Sequence, residues 1–446
     1  IPSLFILATL IWLMIALVRR SNSRKLAGAV FAVEVLVLLM LYLHYLSPRE
    51  YARTYLESDP PTEMLAEAAA KKGFFIGAAV NKSVNPIYAQ LVPSQYNSIT
   101  PENATKWRRL LVNDKIGQYD FKEADAIVDH AVKNGVRIRG HTLVWGKFSG
   151  RAYPAVLDKR IAEADDPKAE LRQVMRHHIE TVMTHFKGRI QVWDCVNEPL
   201  SMDGPYLDKN IYLNTLGKDY IAEAFRIAHE FDPSVQLFLN EQFGNYEGEN
   251  VEVFFELLEW LLNEDVPIHG VGIQAHNIFK THDLETFRWF LERVSSLGLL
   301  TEITEFDARI RLFEGADDPY QAQGAYTTAY ARACIENPDC IGFTVWGMSD
   351  ALTWYDWVPP FSWMPPNDPL IFDTELRPKP AVRGIIEALN DGAVTGAAGF
   401  RYVADVDMDT LRRDCAGVGY AETPNAATTT FTVAHDVIRP SQRKGD

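Results

Sequence analysis

Cysteine is scarce, and none of Cys195, Cys334, Cys340 and Cys415 stands in a CxxC pair, which argues against a zinc knuckle. HExxH is missing too. The histidines of "RHHIETVMTHF" have the wrong spacing for a metalloprotease helix and read as residues on a helix surface. No GxGxxG follows the first β-rich run, which weighs against a doubly wound dinucleotide-binding sheet. Positive charge is in deficit, with 44 Lys and Arg against 59 Asp and Glu and a formal net charge of −15. The phosphates of a nucleic acid would be repelled, so nucleic acid is not an expected partner. These absences leave no metal and no cofactor in view, and a neutral substrate stays open.

Long apolar runs are present. Residues 1–18 are unbroken in their apolar character, "RRSNSRK" follows at 19–25, and 26–46 are apolar again. Each stretch is near the length needed to cross a bilayer. A secretory signal carries its positive charge before the apolar run, and here it comes after. The pattern predicts a membrane anchor over 1–47: two transmembrane helices, with Arg19, Arg20, Arg24 and Lys25 on the cytoplasmic side. Everything beyond Tyr45 then lies on the extracytoplasmic, periplasmic or extracellular side. Glu34 sits inside the second stretch, where a carboxyl group demands a polar partner, either the neighbouring helix or another membrane protein. Residues 48–61 read as a linker.

The rest is rich enough in apolar residues for a large core, the whole chain being 47% hydrophobic. From 62 to 391 short β-rich runs alternate with amphipathic segments. The runs are 74–80, 96–100, 136–145, 190–198, 235–241, 270–276, 299–305 and 341–347. Helical patterns cover 122–134, 168–186, 218–231, 249–264, 284–296 and 320–336, and 378–390 closes the series. Eight strand–helix repeats predict an α/β fold, the (β/α)8 TIM barrel. After "GAVTGAAG" the texture changes, and 392–446 read as a small C-terminal extension without catalytic signal.

In such a barrel the C-terminal strand ends face one mouth. The polar residues there are Asn97 and Thr100 with Glu102 and Asn103 beyond; His141 and Trp145; Asn197 and Glu198; Asn240 and Glu241; Gln274 and His276; Glu305 and Asp307; and Trp346. The set is rich in carboxylates, amides and tryptophan, Trp107 and Trp354 included. Carboxyl pairs between aromatic walls suit glycoside hydrolysis, where one carboxyl delivers a proton and an ionised one attacks or stabilises the sugar cation. Glu198 and Glu305 come from runs four and seven, across the mouth. Taken singly, each glutamate also reads as half of a buried ion pair, His276 as a core histidine and each Trp as core.

"NSITPENATKW", "RGHTLVW", "WDCVNEP", "GVGIQAH", "ITEFD", "GFTVWG" and "PLIFDTELRPKPA" stand in one order from Phe74 to Leu389. In these motifs the chain resembles the family 10 glycoside hydrolases, the endo-β-1,4-xylanase barrels. The resemblance implies a retaining enzyme with Glu198 as acid/base and Glu305 as nucleophile. His276 would bond that nucleophile, Asp307 would support His276, and Asn197 would bond the 2-hydroxyl of the reacting sugar. Glu102, Asn103, Lys106 and His141 would line the glycone side with Gln274 nearby, and Trp145, Trp346 and Trp354 would form walls. It also implies a disulfide between Cys334 and Cys340, in keeping with an oxidising compartment.

Two stretches depart from the family pattern. After "HTLVW" the family continues with His, a small residue and Gln, whereas this chain has Gly146, Lys147 and Phe148. That predicts lost polar contacts on the glycone side. The family's "NDYN" is replaced by "NEQF". A second reading, from another class, makes the barrel an idle accessory subunit of a membrane-protein assembly; the intact pair Glu198 and Glu305 argues against it.

Overall fold

The β-rich runs form strands that are buried almost throughout, as parallel strands covered by helices must be. They are β1 (Phe75–Val80), β2 (Ser98–Pro101), β3 (Arg137–Trp145), β4 (Val192–Asn197), β5 (Gln236–Glu241), β6 (Gly270–Ile273), β7 (His276–Asn277), β8 (Leu300–Ala308) and β9 (Cys340–Val345). This computed structural model describes residues 49–81, 89 and 91–391. The predicted transmembrane helices, Glu34 and the extension over 392–446 lie outside the described residues. No helix among the described residues is long and apolar enough to cross a membrane.

Every pairing among these nine strands is parallel. The order runs β6-β5-β4-β3-β2-β1-β9-β8, and β6 pairs β8 to close the ring. This is the (β/α)8 barrel. β7 is a two-residue continuation beyond β6 that pairs His276 with Asp307 of β8. Register levels the strand ends: Trp145 is opposite Asn197, and Asn197 is opposite Asn240. Outer helices start on side-chain caps, as at Asp166 before Pro167 and Asp318 before Pro319, where the aspartate accepts backbone N–H groups and proline sits at the first helical position.

The barrel interior is not wholly apolar. Arg137 makes a paired contact with Glu302 at 3.0 and 2.9 Å. Arg139 reaches Glu302 at 3.1 Å and Asp194 at 3.0 Å, and His141 Nδ1 lies 2.8 Å from Asp194. Burial drives the Asp194 and Glu302 carboxyls up, but the guanidinium groups more than offset it and hold both below their ordinary values. Removing one member of such a network leaves an uncompensated buried charge, at a cost of about 3–5 kcal/mol.

Three readings of the sequence are corrected here. His178 is not on the surface. It lies on the inner face of helix Pro167–Phe186, in line with Leu171, Val174, Met175 and Val182, because the 3.6-residue period carries position 178 inward. Its ring stacks on Trp107 at 4.3 Å, and burial lowers its pKa to about 3. Trp107 is accordingly core rather than mouth. Residues 49–61, expected as a linker, lie against the barrel. Tyr55 is buried and donates to Asp373 at 3.1 Å, Tyr51 donates to Glu314 at 3.3 Å, and Thr54 bonds Asp318.

Candidate active site

β4 and β8 each carry a structural carboxylate low in the barrel and another functional group higher up. Strict alternation would place Asp194 and Asn197, or Glu302 and Glu305, on opposite faces. Register shifts between Asp194 and Val196, and again between Ile303 and Phe306, remove that conflict, as bulges do. Asp194 and Glu302 then face the arginines, while Asn197 and Glu305 meet at the mouth.

Glu198 follows β4 directly. Its φ is +53°, a left-handed conformation that costs a non-glycine residue about 1–3 kcal/mol and is tolerated where surrounding structure over-determines it. Its backbone N–H is held by Asn240 O at 2.8 Å. Oε1 accepts from Gln274 at 3.1 Å and from Asn197 at 3.3 Å. Lys147 Nζ stands 3.4 Å from Oε2.

Glu305 is only 4% exposed. It accepts from Asn240 at 2.8 Å, and His276 Nε2 lies 3.2 Å from its other oxygen. His276 Nδ1 is 2.7 Å from Asp307, which also accepts from Trp354 Nε1 at 2.9 Å and Tyr355 Oη at 2.6 Å. Burial opposes the charge on His276, yet Asp307 and Glu305 together raise its pKa to about 10. Burial likewise pushes Glu305 up, but His276 and His141 prevail and hold its carboxyl below the usual range. The result is an ionised carboxylate against a charged imidazole, in a site sheltered from water.

On the neighbouring rim Lys106 donates to Asn103 at 3.0 Å, and Asn103 donates to Glu102 at 3.0 Å. Burial raises Glu102 and lowers Lys106, each partly countered by the other's charge. Trp346 packs on His141 at 5.3 Å and on His276 at 6.1 Å, and Trp354 lies 5.6 Å from His276. Lys106 lies 5.1 Å from the Trp145 ring. The structure thus brings Glu102, Asn103, Lys106, His141, Trp145, Asn197, Glu198, Gln274, His276, Glu305, Asp307, Trp346 and Trp354 to the barrel mouth.

A match to the family model described as "Glycosyl hydrolase family 10" spans residues 64–388. The chain belongs to glycosyl hydrolase family 10. It is similar to "Endo-1,4-beta-xylanase B" of Paenibacillus barcinonensis, 31% identical over 329 residues, covering 72% of this chain and 96% of that one. "Beta-1,4-xylanase" of Dictyoglomus thermophilum is 34% identical over 332 residues, with 71% and 89% covered. Among solved structures, native xylanase 10B from Thermotoga maritima superposes with a TM-score of 0.66 at 31% identity, over 73% of this chain and 98% of that one. Xylanase 10B from Thermotoga petrophila in complex with xylobiose gives 0.65 at 30% identity, with 75% and 99% covered. The chain is a xylanase-like glycoside hydrolase of this family.

Within the family barrel, sequence reasoning left three residues without a role. Asn240 was visible at a strand end, but not that it bridges Asn197 and Glu305. Tyr355 sits beside Trp354 in sequence and donates to Asp307. Lys147 belongs to the departure after β3, and nothing in its spacing shows that it turns inward. The disulfide between Cys334 and Cys340 is present, with the Cα atoms 5.2 Å apart, and ties the end of helix Pro319–Glu336 to the start of β9.

Gly146 modifies the expectation about lost glycone contacts. A Cβ there would fall 2.4 Å from Asn210 Cγ, and Asn210 caps helix Ile211–Leu216 by accepting from Tyr212 N and Leu213 N. The space that a histidine would need is filled by that cap. Phe148 is 51% exposed and sets its ring edge-on to Trp145 at 5.7 Å.

Proposed function

We propose that this chain is a retaining hydrolase of β-1,4-linked xylan, with Glu305 as nucleophile and Glu198 as acid and then base. The observation that carries the reading is the pair of carboxyls in unlike settings: Glu305 buried and kept ionised by His276, Glu198 at the rim among amide donors and an ammonium. In the first step Glu198 gives its proton to the glycosidic oxygen as the C1–O bond breaks and a Glu305 oxygen bonds to C1. A water then gives a proton to Glu198 while its oxygen bonds to C1 and the Glu305–C1 bond breaks. Asn197 bonds the 2-hydroxyl of the reacting sugar. Glu102, Asn103, Lys106, His141 and Gln274 hold the glycone side, between Trp145, Trp346 and Trp354. The names of the relatives and the xylobiose complex support the substrate class.

Residues 1–47 support a further part of the proposal, that the barrel is tethered to a membrane on its extracytoplasmic side. The support is the basic loop between two apolar runs, and the disulfide suits an oxidising compartment.

Two measurements test the proposal. Proton NMR of an aryl β-xylobioside digest should show the β-anomer of the product first; an α-anomer first, or no cleavage of xylan, overturns the mechanism. Protease added outside sealed, right-side-out vesicles should reach the barrel while the loop at 19–25 stays protected. The opposite pattern overturns the topology.

A further inference from the structure

Lys147 lies two positions beyond β3 and turns inward, 8% exposed. Among the described residues Glu198 is the carboxylate within salt-bridge reach of its ammonium, at 3.4 Å. The groups facing Glu198 come from several strands: Asn197 on β4, Gln274 after β6, Glu241 on β5 and Lys106 after β2. Glu241 is wholly buried, and its two oxygens accept the backbone N–H groups of Leu200 and Gln242 at 2.8 Å each. Burial raises its pKa to about 8, Lys147 counteracts, and Glu198 adds to the rise. One ammonium therefore stands among two carboxyl groups that repel each other when both are ionised.

We propose that Lys147 is a positioning residue for the acid/base: it holds Oε2 of Glu198 in place and supplies the counter-charge for the carboxylate that the first proton transfer leaves and the second consumes. The inference rests on the reading of Glu198 given above. Glu198 changes charge twice in each turnover. It becomes anionic as the leaving oxygen takes its proton, next to Glu241 and in a site partly closed to water. A fixed cation at salt-bridge distance stabilises the anionic form. The amide donors of Asn197 and Gln274 engage Oε1 only, so Oε2 takes its orientation from Lys147. The other side of Lys147 borders a cavity of about 720 Å³, lined also by Phe148, Tyr153 and Asn210, which leaves room for a different side chain at position 147.

The test compares Lys147→Met and Lys147→Arg with the wild type on xylohexaose and on dinitrophenyl β-xylobioside, and in a Glu198→Ala background. Loss of one charge-assisted contact predicts about a tenfold fall in kcat/KM on xylohexaose for Lys147→Met. On the dinitrophenyl substrate, whose leaving group needs no proton, the fall should stay below about twofold. Lys147→Arg should recover most of the loss. In the Glu198→Ala background Lys147→Met should change neither substrate, as expected when one residue acts through the other.

Equal losses on both substrates, or the same loss without Glu198, overturn the proposal. A rise in KM for both at constant kcat overturns it as well and makes Lys147 a substrate contact. If Lys147→Met does not fold, Lys147→Gln, which keeps a donor but no charge, is read the same way. A wild type that cleaves neither substrate overturns the proposed function itself, and this inference with it.

Discussion

Asn240 Nδ2 lies 2.8 Å from Asn197 Oδ1 and 2.8 Å from Glu305 Oε1. One amide thus ties the strand that ends at Glu198 to the strand that carries Glu305. Its own carbonyl is fixed by Thr304 Oγ1 at 2.7 Å, so the amide cannot flip without losing that bond. Asn240→Leu should lower kcat/KM on aryl xylobioside by about ten- to a hundredfold, the worth of one or more hydrogen bonds to a charged group. Asn240→Asp should be worse, because it sets a carboxylate against Glu305. Activity of Asn240→Asp equal to wild type would show that the bridge has no catalytic consequence.

The roles assigned to the two glutamates separate by leaving group. Glu305→Gln should abolish turnover of every substrate. Glu198→Ala should impair xylan and oligosaccharides far more than dinitrophenyl glycosides, since an activated leaving group departs unprotonated. Kinetics on a series of aryl xylobiosides of graded leaving-group acidity reads this directly; a flat dependence in Glu198→Ala would contradict the acid role.

His276 makes the stability of the fold depend on pH. Its pKa is about 10 in the folded protein against an ordinary 6.5. A raised histidine contributes stability that is fully present below the unfolded value and lost as pH rises through the folded one. The thermal midpoint of the wild type should therefore fall from neutral pH to about pH 10 more steeply than that of His276→Gln. The same variant removes the cation that keeps Glu305 ionised, so its acid limb of activity should lie at higher pH. Parallel stability curves for the two proteins would refute the linkage.

Gly146→His should not restore a glycone contact. It should lower stability by about 1–3 kcal/mol through overpacking, with about 1 kcal/mol more where the Asn210 cap is displaced. Asn210→Gly, which opens the space, should make the double variant less unstable than the two single changes added together. Denaturant unfolding of the four proteins decides it, and additive losses would mean that the two sites do not touch.

The barrel was legible in the sequence because its signals are local. The β-rich runs are short, and from 96–100 onward each is followed by an amphipathic helix, the helical pattern at 284–296 coinciding with the observed helix Leu284–Ser296. The carboxylates were legible for a related reason: Glu198 and Glu305 follow apolar runs at strand ends, where side chains of this kind have no packing role to play. Residue type has a blind side: His178 reads as a helix-surface histidine, yet the 3.6-residue period turns its position inward, and the ring is buried against Trp107.

What the tertiary structure alone decided was which groups meet. Asp194 and Asn197 face the same interior only because the β4–β5 register shifts between them, and Glu302 and Glu305 share that device on β8. A one-residue shift has no signature in an apolar run, since both registers bury the same residues. The contact of Lys147 with Glu198 joins positions 51 residues apart in sequence, and the cap that fills the space beside Gly146 comes from a different loop. Composition and spacing act within a segment, whereas distances between segments follow from the closure of the barrel, which sets the whole ring of strand ends at once.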